Sequence, residues 1–270
     1  MTLVTSAVSD VTPLLSQVYH VMYTHTDYSD VWPAYFGQTE RFAQCLKHHM
    51  ICVNQQDSRI PSAYTPLLYD DTKAYPTRLM ECLSTLPSEA IILFTHEDMF
   101  LYDFPDVAKL EVYLQAMHRE EGWWMTKRPL FDYIKLIKGG DCISTPMPFE
   151  STLHKLSLNS AWMFSIQPTF WRVGSFLKLL QHHATDTIWT FEEKAQVTCR
   201  KLRLQGGYAH DQGVQRGIHH WDNAIYPYIA TAIVKGKWNT LEYRETLIPI
   251  LEHYGISLEP RGEFTALVPL

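Results

Sequence analysis

The chain has 270 residues, 46% of them apolar, which is enough to bury one substantial α/β core. Its 23 basic and 29 acidic side chains give a formal net charge of −6 without a long basic run, which argues against nucleic acid or an anionic membrane surface as a partner. Five cysteines without a C-x-x-C pair predict neither disulfides nor a structural zinc site, and the lack of a signal-peptide pattern or of roughly 18 consecutive apolar residues predicts a cytoplasmic protein without a membrane span.

Strand and helix patterns alternate over the first hundred residues. A β-α-β-α-β order is typical of a parallel sheet with helices on its faces, in which ligands bind beyond the carboxyl ends of the strands. We therefore expect the chemistry at that edge of the sheet. The predicted elements are strands at 19–24, 49–53 and 90–95, helices over 28–46 and 76–86, and a loop from 54 to 75.

The remainder of the chain reads as further helices and strands separated by longer loops. Its most irregular stretch, GGYAHDQGVQRGIHHWD, shows neither a helical nor a strand period and is predicted to be a mobile loop. The predicted elements are a helix over 106–117, a strand at 131–137, a loop-rich stretch over 139–160, a strand at 160–166, a helix over 170–180, a helix beginning near 189, the mobile loop over 206–222, and a final amphipathic helix over 241–254 kinked at Pro249.

Two adjacent carboxylates, Glu97 and Asp98, follow directly on the most strand-like run of the sequence. Acids that leave a buried strand are costly unless a cation lies nearby, and a divalent ion bridging to a nucleotide diphosphate would supply one. The alternative is that one carboxylate caps the next turn while the other is solvated. Arg78, on the preceding helix, suits a phosphate or an ordinary surface ion pair equally well.

Several short motifs together resemble a group of GT-A glycosyltransferases found in bacterial surface-polysaccharide clusters and in large algal viruses. They are THTDYSDVWPAYF (24–36), YPTRLMECL (75–83), LFTHEDMFL (93–101) and WTFE (189–192). The resemblance implies a single GT-A (Rossmann-like) domain: a mixed, mostly parallel sheet flanked by helices, with a nucleotide-sugar-binding half over about 1–137 and an acceptor-binding and catalytic-base half over about 138–270.

In that family an acidic motif, usually D-x-D, binds the metal and diphosphate at the place where Glu97 and Asp98 stand. The resemblance therefore implies Mn²⁺ or Mg²⁺ as cofactor, although the departure from D-x-D spacing also allows the pair to contact donor sugar hydroxyls. His96 adjoins the pair and is taken as a donor-site residue or as a packing residue. The resemblance further implies that the base and ribose of the donor are surrounded by Thr24, His25, Thr26, Asp27 and Asp57.

Sugar transfer with inversion needs a base for the acceptor hydroxyl, and a carboxylate is the usual one. Glu192 is the candidate, because it lies at a predicted helix start beside Trp189 and Phe191; Glu193 is the alternative, and a role limited to the helix dipole is a third possibility. Lys235 and Lys237 flank a glycine in a cationic turn that suits the leaving diphosphate, or simply solvent.

These residues favour a glycosyltransferase that moves a hexose, or a pentose such as xylose, from a UDP-sugar to a glycan hydroxyl. A metal-dependent phosphohydrolase or nucleotidyltransferase and a non-catalytic carbohydrate-binding module are the alternatives. Zinc is not expected, because the His-His pairs that begin at His48, His182 and His219 share no ligand spacing with acids or cysteines.

Overall fold

The computed structural model describes residues 13–122, 127–217 and 220–265. The helices in these ranges are α1 (Trp32–Phe42), α2 (Tyr75–Leu83), α3 (Val107–Met117), α4 (Val173–Gln181), α5 (Ile188–Lys201) and α6 (Thr240–His253), with short 3₁₀ helices at Leu14–Gln17 and Thr26–Tyr28. The strands are β1 (Tyr19–Tyr23), β2 (His48–Val53), β3 (Tyr64–Leu68), β4 (Ile91–His96), β5 (Glu120–Glu121), β6 (Arg128–Pro129), β7 (Tyr133–Lys135), β8 (Lys138–Gly139), β9 (Ser144–Met147), β10 (Glu150–Leu156), β11 (Thr169–Arg172), β12 (Gly206–Ala209), β13 (Gln215–Arg216), β14 (His220–Trp221), β15 (Ile233–Val234) and β16 (Lys237–Trp238).

A mixed nine-stranded sheet forms the centre of the fold, with strand order β3-β2-β1-β4-β11-β7-β12-β10-β9. Strands β3, β2, β1 and β4 are parallel neighbours, and β7 and β12 also pair in parallel. Strand β11 is antiparallel to β4 and β7, and β10 is antiparallel to β12 and β9. Seven of the nine strands therefore share one direction, which confirms the predicted α/β, Rossmann-like class with a mostly parallel sheet.

Helices cover both faces of the sheet at its centre. Tyr35 of α1 hydrogen bonds to His20 of β1 and Thr95 of β4. Side chains alternate between the faces of a strand, so the neighbouring Phe94 points to the opposite face, where its ring lies 5.4 Å from that of Phe176 in α4. Strand β4 is consequently buried along its whole length. None of the described helices is long and apolar enough to span a bilayer.

The first half of the sequence folds largely as its patterns predict. Strands β1, β2 and β4 and helices α2 and α3 lie within two or three residues of their predicted bounds, and Pro76 occupies the first turn of α2 as expected. Helix α1 is shorter than predicted, because a 3₁₀ turn precedes it. In the second half, α4, α5 and α6 are confirmed.

Four predictions of irregular or extended structure are wrong. Strand β3 lies in the predicted loop over 54–75, hairpin β9–β10 lies in the loop-rich stretch over 139–160, and β12 to β14 lie in the predicted mobile loop over 206–222, of which 218–219 are outside the described residues. The predicted strand at 160–166 is irregular, and the strand follows it as β11.

The kink in α6 also differs from its prediction. Pro249 lies inside the helix, but the non-helical backbone is at Tyr243, six residues earlier. Tyr243 is buried, and its hydroxyl accepts a hydrogen bond from the Ala230 amide. The interruption of α6 therefore coincides with the packing of the Tyr243 side chain and not with Pro249.

Candidate functional site

The acid pair stands at the carboxyl end of β4, in the middle of the sheet. Glu97 is 7% exposed, and its Oε2 has no hydrogen-bond partner among the described residues. The Asp98 backbone carbonyl accepts from the Ala232 amide at 3.0 Å, and its carboxylate accepts from the Ile233 amide at 3.4 Å. The segment that leads into β15 therefore lies against the pair and covers it.

Burial makes both acids of the pair reluctant to ionise. It raises the pKa of Asp98 to about 6. It also raises the pKa of Glu97 well above its ordinary value, and the adjacent Asp98 charge adds to that increase. The buried Oε2 of Glu97, which has no hydrogen-bond partner among the described residues, is stabilised either by a proton or by a cation.

The positive charge of Arg261 acts on this pair and partly offsets the effect of burial on both acids. Its guanidinium lies 4.9 Å from the centre of the Tyr28 ring and 5.9 Å from that of Trp238. A two-pronged ion pair joins it to Asp30, at 2.5 and 2.6 Å. These contacts hold a planar donor group of the kind that binds phosphate oxygens.

The acid pair fits a divalent ion of the Mg²⁺ type. Such ions in nucleotide sites are held by one or two carboxylates and by substrate phosphates, so a complete protein cage is not required. Within the described part of the chain no group of three or more His, Cys, Asp or Glu side chains forms such a cage. When such an ion is bound, the Oε2 of Glu97 would supply one ligand atom and the Asp98 carboxylate another. Of the His-His pair that begins at His219, His219 lies outside the described residues and His220 lies in β14.

The residues that follow β1 lie beside the acid pair, because β1 and β4 are adjacent and Tyr23 pairs with His96. Thr24 is buried, and its hydroxyl accepts from the Trp32 indole at 2.9 Å. The Thr26 amide donates to the Asn54 side chain at 3.0 Å. The remaining members of the predicted group point outward: His25 contacts Asp71, and Asp27 is exposed.

Asp57 and Arg78 are both engaged in ion pairs at this edge. Arg59 holds Asp57 with two hydrogen bonds from its guanidinium and lowers the pKa of Asp57 to about 2. Arg78 contacts the Asp71 carboxylate at 2.9 Å, donates to two backbone carbonyls of the same loop, and lies over the Tyr69 ring. Asp57 or Arg78 can contact a nucleotide-sugar ligand only by sharing these ion-pair partners or by exchanging them for the ligand.

His96 is a buried neutral ring. Burial lowers its pKa to about 3, and a hydrogen bond of 2.9 Å joins its Nε2 to the Tyr75 hydroxyl. Tyr75 packs on residues of both regions: its ring lies 5.8 Å from that of His96 and 6.0 Å from that of Phe191, the residue before Glu192. Burial raises the pKa of Tyr75 well above its ordinary value, and the charges of Tyr23, Glu192 and Glu97 add to this increase.

Glu192 is fixed at that start of α5. Its Oε1 accepts a hydrogen bond of 2.8 Å from the Ile166 amide, which ties the helix to the loop before β11. Glu193 is exposed, and Phe191 is fully buried. Glu192 is therefore the better positioned of the two carboxylates.

Lys235 lies in the exposed turn between β15 and β16, and Lys237, also exposed, is the first residue of β16. Lys235 and Gly236 have φ values of 51° and 78°, as a tight hairpin turn requires. The Gly236 carbonyl accepts from Arg261 at 3.4 Å, so the turn adjoins the guanidinium. The sequence patterns missed Arg261, Tyr28, Asp30 and Asn54; the last three follow the ends of β1 and β2, where their position is a usable signal.

Comparisons with known proteins show no family for this chain. No family model matches the chain, and no curated protein matches it. Among solved structures it is similar to the 4-diphosphocytidyl-2C-methyl-D-erythritolsynthase of Anaerococcus prevotii DSM 20548, with 8% identity over 74% of this chain and 89% of that chain and a TM-score of 0.43.

Proposed function

We propose that the protein is a glycosyltransferase that moves a sugar from a nucleotide diphosphate donor, a UDP-sugar, to a hydroxyl group of a glycan. The observation that carries this proposal is the pair formed by the buried Glu97 and the half-buried Asp98 at the carboxyl end of the central strand, with an unpartnered carboxylate oxygen of Glu97 and with Arg261 beside it. Such an edge of a Rossmann-like sheet is where nucleotide ligands bind.

In this proposal the diphosphate lies between the acid pair and Arg261. A divalent ion held by Glu97 and Asp98 would neutralise phosphate charge, and the Arg261 guanidinium would donate to phosphate oxygens. Lys235 and Lys237 would stabilise the charge of the departing diphosphate. Uracil and ribose would contact the residues that follow β1 and β2, namely Thr24, His25, Thr26, Asp27, Asn54 and Asp57, with Arg78 behind them.

The transfer itself is a single displacement with inversion. The acceptor oxygen attacks the anomeric carbon, the bond from that carbon to the diphosphate oxygen breaks, and the electron pair leaves with the diphosphate. Glu192 takes the proton of the acceptor hydroxyl. The Ile166 amide holds one oxygen of Glu192 in place, and this contact favours Glu192 over the exposed Glu193.

Donor binding provides the test of the acid pair. UDP-glucose, UDP-galactose and UDP-xylose are titrated with and without Mn²⁺ while the unfolding temperature is followed, because a ligand that binds the native state raises it. We expect one donor to raise the unfolding temperature more with Mn²⁺ present, and Glu97→Gln and Asp98→Asn to lose that increase.

Glu245→Gln is the control, since Glu245 is an exposed acid on α6. If the two acid-pair variants bind donor and Mn²⁺ as the wild type does, the proposed donor site is wrong. The products separate the chemistries: UDP and free sugar indicate glycosyl transfer to water, whereas UMP indicates a phosphohydrolase or nucleotidyltransferase acting through the same acids. Binding without either product indicates a non-catalytic module.

A further inference from the structure

A cleft of about 340 Å³, separate from the acid pair, is lined by two exposed tryptophans. It is lined by Ala161, Trp162, Trp189, Glu192, Glu193 and Gln196. Trp189 is 75% exposed and Trp162 is 39% exposed, whereas most large apolar side chains of this chain are buried in the core. A pair of exposed indoles on the walls of one cleft is a feature of ligand sites.

Helix geometry places four of the six lining residues on one face of α5. Trp189, Glu192, Glu193 and Gln196 have the spacing i, i+3, i+4 and i+7, which brings side chains above one another on a helix. Trp162 comes from the irregular segment before β11, on the opposite wall.

Hydrogen bonds fix the two walls relative to each other. The Gln196 side chain accepts from the Phe164 amide at 2.9 Å and donates to the Phe164 carbonyl at 2.7 Å, and Glu192 accepts from the Ile166 amide. Trp162 packs so closely on Gly140 that a Cβ at that position would overlap the indole. The cleft is therefore formed before any ligand enters.

The chemistry of the cleft selects a neutral polyhydroxylated ligand. Indole faces pack on the apolar C–H face of a sugar ring, and carboxylate oxygens accept hydrogen bonds from its hydroxyl groups. Glu192 and Glu193 would repel a phosphate or another carboxylate at the same place. We propose that this cleft binds a pyranose ring, stacked on Trp189 and Trp162, with hydroxyl groups directed at the two glutamates.

If the proposed function holds, this ring belongs to the glycan acceptor, because Glu192 borders the cleft. That assignment rests on the proposed function, whereas sugar binding by the cleft does not. The two ideas are therefore tested separately on the wild-type protein: neutral disaccharides probe the tryptophan cleft, and UDP with Mn²⁺ probes the acid pair.

The experiment titrates cellobiose, maltose, lactose and xylobiose into ¹⁵N-labelled protein and follows the indole N–H signals. The Trp162 and Trp189 signals are assigned with Trp162→Phe and Trp189→Phe. We expect one disaccharide to shift both signals in the wild type, and Trp189→Ala to raise its Kd about tenfold, as the loss of one stacking contact predicts. Phe104→Ala, which removes an exposed aromatic ring outside the cleft, should leave Kd unchanged.

Absence of a shift with all four disaccharides overturns the proposal, and so does an unchanged Kd in a Trp189→Ala protein that retains its near-ultraviolet circular dichroism. Self-association that Trp189→Ala abolishes, measured by sedimentation velocity, would instead make the cleft an interface between two copies and also overturns it. Disaccharide binding without any UDP binding supports the cleft and contradicts the transferase. UDP binding without disaccharide binding does the reverse.

Discussion

Asp98 has a carboxyl group whose ionisation the fold opposes. Its folded-state pKa of about 6 lies above the ordinary value of 3.8, so its contribution to stability is complete below about pH 4 and is lost as the pH rises through 6. Asparagine does not ionise, so Asp98→Asn avoids the free-energy cost of a partly buried charge at high pH. We expect this variant to be more stable than the wild type at pH 8, by up to roughly 3 kcal/mol at 1.36 kcal/mol per pKa unit, and to lose this advantage at pH 4.

Urea unfolding at pH 4 and pH 8 measures this difference. Glu245→Gln, an exposed acid on α6, should show no comparable pH dependence. An Asp98→Asn variant that is less stable than the wild type at pH 8 would contradict this prediction. It would show that other groups of the protein already stabilise the ionised Asp98 carboxylate in the absence of a metal ion.

The residues of the site differ in how far the sequence reveals them. Glu97 and Asp98 can be located because two acids that directly follow the strand-like run AIILFTH form a local pattern. Arg261 cannot, since its relation to Tyr28 and Asp30 spans more than 230 residues and depends on how the tail folds back. The partners of Asp57 and Arg78 are likewise set by the loops around them, which residue type alone does not specify.

At the scale of elements, β12 depends on two consecutive glycines. Gly206 pairs with Tyr133 of β7, and a Cβ there would overlap the buried Tyr133 ring, which also stacks on Trp171 at 4.3 Å. We expect Gly206→Ala to lower the free energy of unfolding by about 2 to 3 kcal/mol, the usual cost of overpacking a core. Chemical denaturation measures it.

Gly236→Ala is the matched control for this substitution. Gly236 has a positive φ but no atom within 4 Å of an added Cβ, so only backbone strain opposes alanine there, at about 1 kcal/mol. If Gly206→Ala and Gly236→Ala lowered the free energy of unfolding equally, the Tyr133 ring would have to move aside at little cost. In a Tyr133→Leu background, the cost of Gly206→Ala should fall, because the overlapping ring is absent.

The same glycines explain why β12 reads as a loop. A Gly-Gly pair normally marks a turn. Here the two glycines make room for the rings of Tyr133 and Phe131, which are distant in sequence and therefore invisible to a local pattern. Strand β3 contains Pro66, which is tolerated because β3 is the edge strand. Conversely, the strand-like run at 160–166 is irregular, and its Phe164 and Ile166 amides donate to the side chains of Gln196 and Glu192 instead of to a neighbouring strand. Local patterns predict the first half well because its β-α alternation is local.

At the scale of the whole molecule, the segment after α6 folds back so that the charge of Arg261 acts on the acid pair. Trp238 donates its amide to the Gly262 carbonyl, Phe264 donates to Trp238, and Arg261 joins Asp30. Because Glu97 is only 7% exposed, we expect donor binding to need movement of the segments around it. We therefore expect the amides of Trp238 and Phe264 to exchange hydrogen faster than those of β4, as hydrogen-exchange mass spectrometry would show.

Two substitutions separate the roles of Arg261 and its ion pair. Arg261→Ala should weaken UDP binding at least about tenfold, since it removes a charged donor to phosphate, and should speed exchange in the tail. Asp30→Asn should speed exchange in the same segment but retain UDP binding, because the guanidinium stays. Equal weakening by both, measured by calorimetry, would contradict a direct role for Arg261 in holding the diphosphate.

The closing contact between Arg261 and Asp30 also has a consequence for biosynthesis. Arg261 is made 163 residues after Asp98, which takes roughly 8 to 33 s at 5 to 20 residues per second. Strands β1, β2 and β4 can associate within that interval, while the residues that cover their acids are still unmade. On the ribosome the acid pair is therefore open to solvent and to any ion or nucleotide that reaches it, before the finished chain restricts access.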